Sequence, residues 1–470
     1  MPNAKTNPRR RVIEIKPIVD PDAKVYPRSI NGYFQRWRWA FIWLTQLVFY
    51  GLCWLPWNGR QAVLFDLDTR RFYLFDLVLW PQDAIYLAIL LALSALALFL
   101  FTAVAGRLWC GYTCPQTVYT EMFLWLEKLV EGERPKRMKL DAAPWSVHKL
   151  AIKTAKHSLW IALALWTGLT FVGYFTPIRD LTHGIVELSL GPWEVFWVLF
   201  YGAATYGNAG FMREHMCKYI CPYAQFQFVM FDRDTLNITY DRQRGEPRGP
   251  RRKIADPRAE GLGDCVDCSI CVQVCPTGID IRNGLQLECI GCAACIDACD
   301  QVMDKMEYPR GLIRYSTENA VDESLSRSEI IRRAARPRTL LYLAVFLAVS
   351  TATAWSLLNR VPLKVSVIRD RAVLSREAPD GSIENVFSLQ LTNASEQART
   401  YRVHVAGLPG LRLEEAHEIE APPAGLGKAV LVLKVDPEAA PAGAHPIQIT
   451  VEDIADASVR KTENASFWMP

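Results

Sequence analysis

The chain has 470 residues, 53 Lys and Arg against 49 Asp and Glu, and a formal net charge of +4. That is longer than a single hydrophobic core usually grows, so several folding units are expected. Half of the residues are hydrophobic and 13 are Cys. This composition excludes a disordered chain, a collagen and a small disulfide scaffold, and the small net charge does not argue for a nucleic-acid binder.

Residues 1–36 read as a polar, basic tail. More than 30 residues precede the first apolar run and no small-residue cleavage site follows it, so a signal peptide is not expected. Apolar runs follow at 37–56, 84–105, 158–177, 193–211 and 339–358, each about the 20 residues that a helix needs to cross a bilayer. A single run of this kind could be a buried core helix; five together read as membrane spans. Trp37, Trp39, Trp54, Trp57, Trp109, Trp193 and Trp355 crowd their ends, where amphipathic rings sit at the headgroup level. Lys and Arg number nine in 1–38, three in 58–83, nine in 106–157, one in 178–192 and nineteen in 213–338. By the positive-inside rule this alternation places the N-terminus and 213–338 in the cytoplasm and residues 359–470 outside, in the periplasm of a Gram-negative cell.

Cys110-Gly-Tyr-Thr-Cys114-Pro115 follows the second run and Cys217-Lys-Tyr-Ile-Cys221-Pro222 follows the fourth. Amphipathic stretches at 116–130 and 223–230 come next, so span, span, CxxxCP and interfacial helix form an internal repeat. Pro favours the first helical position, which puts Cys114 and Cys221 at helix N-termini, where the dipole favours thiolate. Four converging thiolates suit Cu(I), an iron–sulfur cluster or zinc; two structural cysteine pairs are the plainer alternative. His215 is a candidate fifth donor, although a lone interfacial His is more often solvated. Cys53, near the outer end of the first run, reads as a small buried apolar residue.

Eight cysteines lie within the 35 residues Cys265–Cys299. Cys265-x2-Cys268-x2-Cys271-x3-Cys275-Pro276 is the bacterial two-cluster ferredoxin pattern, and Cys289-x2-Cys292-x2-Cys295-x3-Cys299 repeats it. Three close thiolates hold three irons of one cube, and the fourth cysteine of each run ligates the other. Cluster one then takes Cys265, Cys268, Cys271 and Cys299; cluster two takes Cys289, Cys292, Cys295 and Cys275. A zinc ribbon needs pairs rather than two runs of four. Asp300 stands where Pro usually closes the second run. Its charge should lower the potential of a nearby cluster, because reduction adds negative charge.

Residues 363–470 contain no Cys and alternate apolar with polar residues at 363–369, 385–392, 400–405, 428–435 and 447–451. Turn signals separate these runs, so an immunoglobulin-like β-sandwich acting as a binding or docking module is expected. His404, His417 and His445 are isolated and read as surface residues. Residues 1–30 and 241–260, rich in Pro, Arg and Lys, read as flexible segments near the anionic inner leaflet. The expected fold is a multidomain membrane protein. It has a tail (1–36), a four-span α-helical domain with both CxxxCP motifs (37–240) and an inserted α+β two-[4Fe-4S] ferredoxin domain (241–338). A fifth span (339–358) and an all-β immunoglobulin-like domain (359–470) complete it.

Together, the CxxxCP pair, the eight-cysteine run, the stretch from Ile290 to Cys299, Asp304-Lys305-Met306 and the stretch from Tyr308 to Tyr315 resemble the CcoG/FixG/RdxA family, across about residues 25–470. The resemblance implies an inner-membrane accessory factor for assembly of cbb(3)-type cytochrome c oxidase, one that reduces Cu(II) to Cu(I). It places two [4Fe-4S] clusters on the ferredoxin cysteines. Cys110, Cys114, Cys217 and Cys221 match positions tied to copper or redox work, where copper or a further cluster is expected. The expected partners are a cytoplasmic electron donor, copper-delivery or oxidase-assembly proteins, the lipid bilayer and a second copy of the chain. Two other functions share the motifs: an electron conduit to another exported reductase, similar to the NapH and NosR types, and a non-catalytic copper chaperone or redox-sensing scaffold.

Overall fold

The computed structural model describes residues 24–253, 261–370, 374–415 and 418–470. Most of the expected tail, part of the basic stretch 241–260 and His417 lie outside the described residues. All five apolar runs are helical: Tyr33–Gly51, Ala84–Ala105, Val147–Val172, Pro192–Gly207 and Pro337–Leu358. Two helices, Pro81–Ala105 and Pro337–Leu358, are long and apolar enough to cross a membrane by length and composition. The other three are more polar or shorter. Tyr33–Gly51 carries Gln35, Arg36, Arg38 and Gln46, and Val147–Val172 opens with Lys149, Lys153 and Lys156. Pro192–Gly207 has 16 residues and gives way to a π-helical turn, Asn208–Met212.

Packing divides the chain into two compact units. One holds the described parts of Met1–Trp39, Gly106–Leu159 and Met212–Leu325; the other holds Ala40–Ala105, Trp160–Phe211 and Ser326–Pro470.

In the second unit, Ala84–Ala105 lies along Pro337–Leu358. Tyr86 and Ser356 share a hydroxyl hydrogen bond of 2.9 Å near one end, and Arg336 donates to the Ala103 carbonyl at 2.9 Å near the other. The connection 58–83 is no plain loop: Val63–Asp66, Arg71–Leu74 and Leu77–Leu79 pair as a small antiparallel sheet. The C-terminal part is a β-sandwich. One sheet runs Arg412–Leu413, Leu426–Val435, Ile383–Asn393, Leu363–Arg369, with Arg376–Glu377 beside Ile383–Asn393; the other runs Glu418–Ala421, Arg399–Ala406, Gly443–Asp453, Arg460–Met469. Alternate residues turn inward, as the two-residue strand period requires. Phe387, Leu389, Leu391, Tyr401, Leu431, Leu433, Ile447, Ile449 and Phe467 fill the core. His404 is exposed, and His445 bonds the Pro441 carbonyl at 2.7 Å. Cys53 is buried and donates to the Tyr50 carbonyl, in keeping with a packing role.

The first unit is built from short helices and tight turns. Strand Asn237–Tyr240 pairs with Ile313–Ser316 and closes a core formed with Ile281, Ile296, Met303 and Leu312. Asp297, on helix Ala294–Met306, accepts from the amides of Phe34 (3.2 Å) and Gln35 (2.8 Å), at the start of Tyr33–Gly51. A carboxylate there satisfies helix N–H groups that have no partner within the helix. Gly32 makes room for it, since a Cβ would lie 2.1 Å from the Asp297 carboxyl carbon.

Candidate iron–sulfur site and the paired CxxxCP motifs

The two cysteine runs share one backbone design. Asp267 (φ +51) and Ser269 (φ +55) in the first occupy the same places as Gly291 (φ +71) and Ala293 (φ +61) in the second. Left-handed conformations are costly for non-glycine residues. Alternating them with right-handed ones turns successive N–H groups into a hollow that receives anions, iron–sulfur clusters included. Each run then enters a helix, Ile270–Gln273 or Ala294–Met306.

Two small, largely apolar cavities lie between the runs. Cys265, Cys268, Cys271 and Cys299 line one, with Tyr240, Ile270, Met303 and Leu312. Cys271, Cys275, Cys289, Cys292 and Cys295 line the other, with Ile238, Ile281 and Ile290. Each cavity thus takes three thiols from one run and the last cysteine of the other, and Cys271 borders both. All thirteen thiols are free, and Cys268 is the exposed one. Among the described residues, no group of three or more His, Cys, Asp or Glu could hold a single metal ion. Four sulfurs around one tetrahedral ion would lie about 3.8 Å apart, from a metal–sulfur bond of about 2.3 Å. Around a cube they stand wider, because an iron corner lies behind each. The donor set, the apolar walls and the turned amides fit a cube.

Pro115 and Pro222 open helices Pro115–Glu131 and Pro222–Met230, with Cys114 and Cys221 as N-caps, as the motif predicts. Both motifs also close with the same wide turn: the Cys114 amide donates to the Trp109 carbonyl at 3.1 Å, and the Cys221 amide to the Met216 carbonyl at 2.8 Å. The four thiols feel one another. Burial, with Cys114, Cys217 and Cys221 opposed by Arg107, pushes the Cys110 thiol up to about 12. Burial and the neighbouring thiols push Cys217 up to about 12 as well. Cys114 also moves upward, because burial outweighs the hydrogen bonds from Thr117 and Gln116. This corrects the expectation from the helix dipole for Cys114: without a bound cation its thiol is protonated, and metal binding there releases protons. His215 stacks on Tyr219, with ring centroids 5.8 Å apart.

Cys110 and Cys217 pack against the same apolar cluster as Cys292 and Cys295, with Val274, Ile290, Ala294 and Ala298. The contact is backbone-close. A Cβ on Gly111 would fall 2.7 Å from the Gly291 carbonyl oxygen and 2.9 Å from the Cys292 Cα. Three neighbours were not foreseen from the sequence. Arg107 is 3% exposed and donates to the carbonyls of Leu287, Cys289 (3.4 Å) and Ala224. Gln227 is fully buried and accepts from the Cys110 thiol at 3.3 Å. Arg38, paired with Glu121 at 3.0 Å, donates to the Gly111 carbonyl at 3.3 Å. Asp300 accepts from the Gly311 amide at 2.9 Å.

A ferredoxin-like unit with two four-thiol cavities, abutting a repeated thiol motif, defines an iron–sulfur electron-transfer protein. Residues 212–318 match a family model described as a 4Fe-4S dicluster domain, and residues 87–132 one described as a 4Fe-4S binding domain. Residues 353–470 match the IG-like fold at the C-terminal of FixG. RdxA of Cereibacter sphaeroides is 38% identical over 453 residues, covering 93% of this chain and 94% of that protein. RdxB of the same organism is 40% identical over 402 residues (84% of each chain). The nitrogen fixation protein FixG of Rhizobium meliloti is 38% identical over 431 residues, covering 85% and 82%. The chain belongs to this FixG/Rdx family of membrane-associated iron–sulfur proteins.

Proposed function

We propose that the chain reduces Cu(II) to Cu(I) at the membrane for assembly of a cbb(3)-type cytochrome c oxidase. The observation that carries the reading is the packing of Cys110 and Cys217 against the same small apolar cluster that contains Cys292 and that Cys295 also touches. Cys265, Cys268, Cys271 and Cys299 would hold one [4Fe-4S] cube, and Cys275, Cys289, Cys292 and Cys295 the other. When bound, the cubes supply one-electron transfer. The two sets differ in access: Cys268 is exposed and open to a donor, while Cys292 is buried in the cluster against which Cys110 and Cys217 pack. Cu(II) is the substrate. It takes up one electron and becomes Cu(I), the soft ion that Cys110, Cys114, Cys217 and Cys221 prefer.

The same reading takes all five apolar helices as spans. Support comes from large apolar side chains exposed on them, among them Trp43, Leu47, Leu91, Phe101, Leu159, Ile161, Phe200, Leu341 and Trp355. A soluble protein rarely exposes so much apolar surface. The N-terminus and ferredoxin part then face the cytoplasm, and the sandwich docks partners outside.

The test mixes the reduced, anaerobically purified protein with Cu(II). Stoichiometric oxidation of the clusters with appearance of Cu(I) is expected. Clusters that stay reduced while copper merely binds would make the protein a chaperone. Replacing Cys110, Cys114, Cys217 and Cys221 together by Ser should abolish copper reduction and leave the two ferredoxin clusters spectroscopically intact. A second reading places a further cube on those four cysteines. It is favoured by the match of residues 87–132, which include Cys110 and Cys114, to a 4Fe-4S binding domain. Iron analysis separates the two: about eight irons per chain without the extra cube, about twelve with it.

A further inference from the structure

Arg107 lies between the two thiol systems. It is buried, and its ionisable neighbours are Cys110, Cys289, Cys217 and Cys221. Its terminal nitrogens bond only carbonyl oxygens, those of Leu287, Cys289 and Ala224, and its buried Nε has no hydrogen-bond partner. Among the described residues no carboxylate pairs with it. A buried, unpaired guanidinium is expensive, and its usual remedy is a nearby anion. Thiolate-bound clusters are anions of that kind.

Of the other basic groups near the runs, Arg251 donates to the Cys265 carbonyl at 3.5 Å and to the Tyr308 hydroxyl at 3.1 Å without a carboxylate partner among the described residues, while two more are paired with carboxylates. Arg38, which acts on Cys292, carries Glu121 as counter-ion. Arg282, which acts on Cys271, is held by both Asp280 (2.7 Å) and Asp267. Asp300 adds a carboxylate next to Cys299. Around the cavity of Cys265, Cys268, Cys271 and Cys299, the guanidiniums of Arg282 and the partly exposed Arg251 thus stand against three carboxylates, Asp267, Asp280 and Asp300, whereas Arg107, at the cavity of Cys275, Cys289, Cys292 and Cys295, is paired with none among the described residues.

We propose that Arg107 is a positioning residue that gives the Cys275/Cys289/Cys292/Cys295 set the higher reduction potential of the two, and so directs electrons toward the CxxxCP thiols. Reduction adds negative charge, a fixed positive charge favours it, and the effect is largest in a dry, low-dielectric site. The inference rests on the cluster assignment above but not on copper being the acceptor.

The test is a potentiometric titration, followed by EPR, of the full-length protein and its R107Q and R107K variants, with iron content measured alongside. R107Q should shift the higher of the two ferredoxin steps to lower potential and leave the lower step in place. R107K, which keeps the charge and loses the fork of hydrogen bonds, should leave both steps close to wild type. An unmoved higher step in R107Q, or both steps moving together, overturns the proposal. Should R107Q lose iron, R107K decides. A higher step at the wild-type potential supports the charge, and one displaced to lower potential overturns it. Reduced clusters that stay reduced when Cu(II) is added would defeat the copper reading alone and leave the Arg107 shift standing.

Discussion

Asp300 shows how one side chain serves both fold and redox chemistry. Its carboxylate receives the Gly311 amide at 2.9 Å and sits beside Cys299, where it keeps a negative charge against the first cavity. Asp300→Asn keeps an oxygen for that amide and removes the charge. The lower-potential ferredoxin step should therefore move upward in a redox titration; an unchanged or lower potential would count against the assignment. At this scale the sequence was informative about ligands and silent about their neighbours. The cysteines were legible because three-residue spacing is a local property of the chain. Arg107 was not, because its carbonyl partner Leu287 lies 180 positions away. Nor was the need for glycine at 111, which arises only when Gly291 arrives against it.

Among the elements, the most legible were those whose one face is buried along their whole length. Strand Leu363–Arg369 has the limits that its alternation predicts. Strand Arg460–Met469 gave no such signal. Its first half, Arg-Lys-Thr-Glu-Asn, is polar at every position, and only Phe467 and Met469 of the strand are buried. The short strands Arg376–Glu377 and Arg412–Leu413 hold too few residues to show a period. Edge strand and core strand are joined across the sandwich by Asn385. Its side chain donates to the Trp468 carbonyl and accepts from the Trp468 amide, both at 2.9 Å, so it imitates a strand partner between the two sheets. Asn385 is 1% exposed. Asn385→Ala would leave two buried backbone groups unsatisfied, at a cost of about 1–3 kcal/mol each. Faster amide exchange in Arg460–Met469 is the expected readout, and unchanged protection would show that the strand is held by its apolar contacts alone.

For the whole molecule, the proposed topology puts Cys268 and the sandwich on opposite sides of one bilayer. Once the clusters have been stripped by chelation, a membrane-impermeant thiol reagent should label Cys268 only in inverted vesicles, and protease added to spheroplasts should degrade only the sandwich. Labelling of Cys268 in intact spheroplasts would reverse the orientation. The Asp297 contact with the first helix bears on how such a molecule is made. The ribosome produces Phe34 263 residues before it produces Asp297. Throughout that interval the leading amides of Tyr33–Gly51 must be satisfied by water or by other groups. Their permanent acceptor arrives only once the second cysteine run has been synthesised and its helix has formed. The earliest of the described helices to leave the ribosome is thus among the last to be completed, and its completion waits on the part of the chain proposed to need iron.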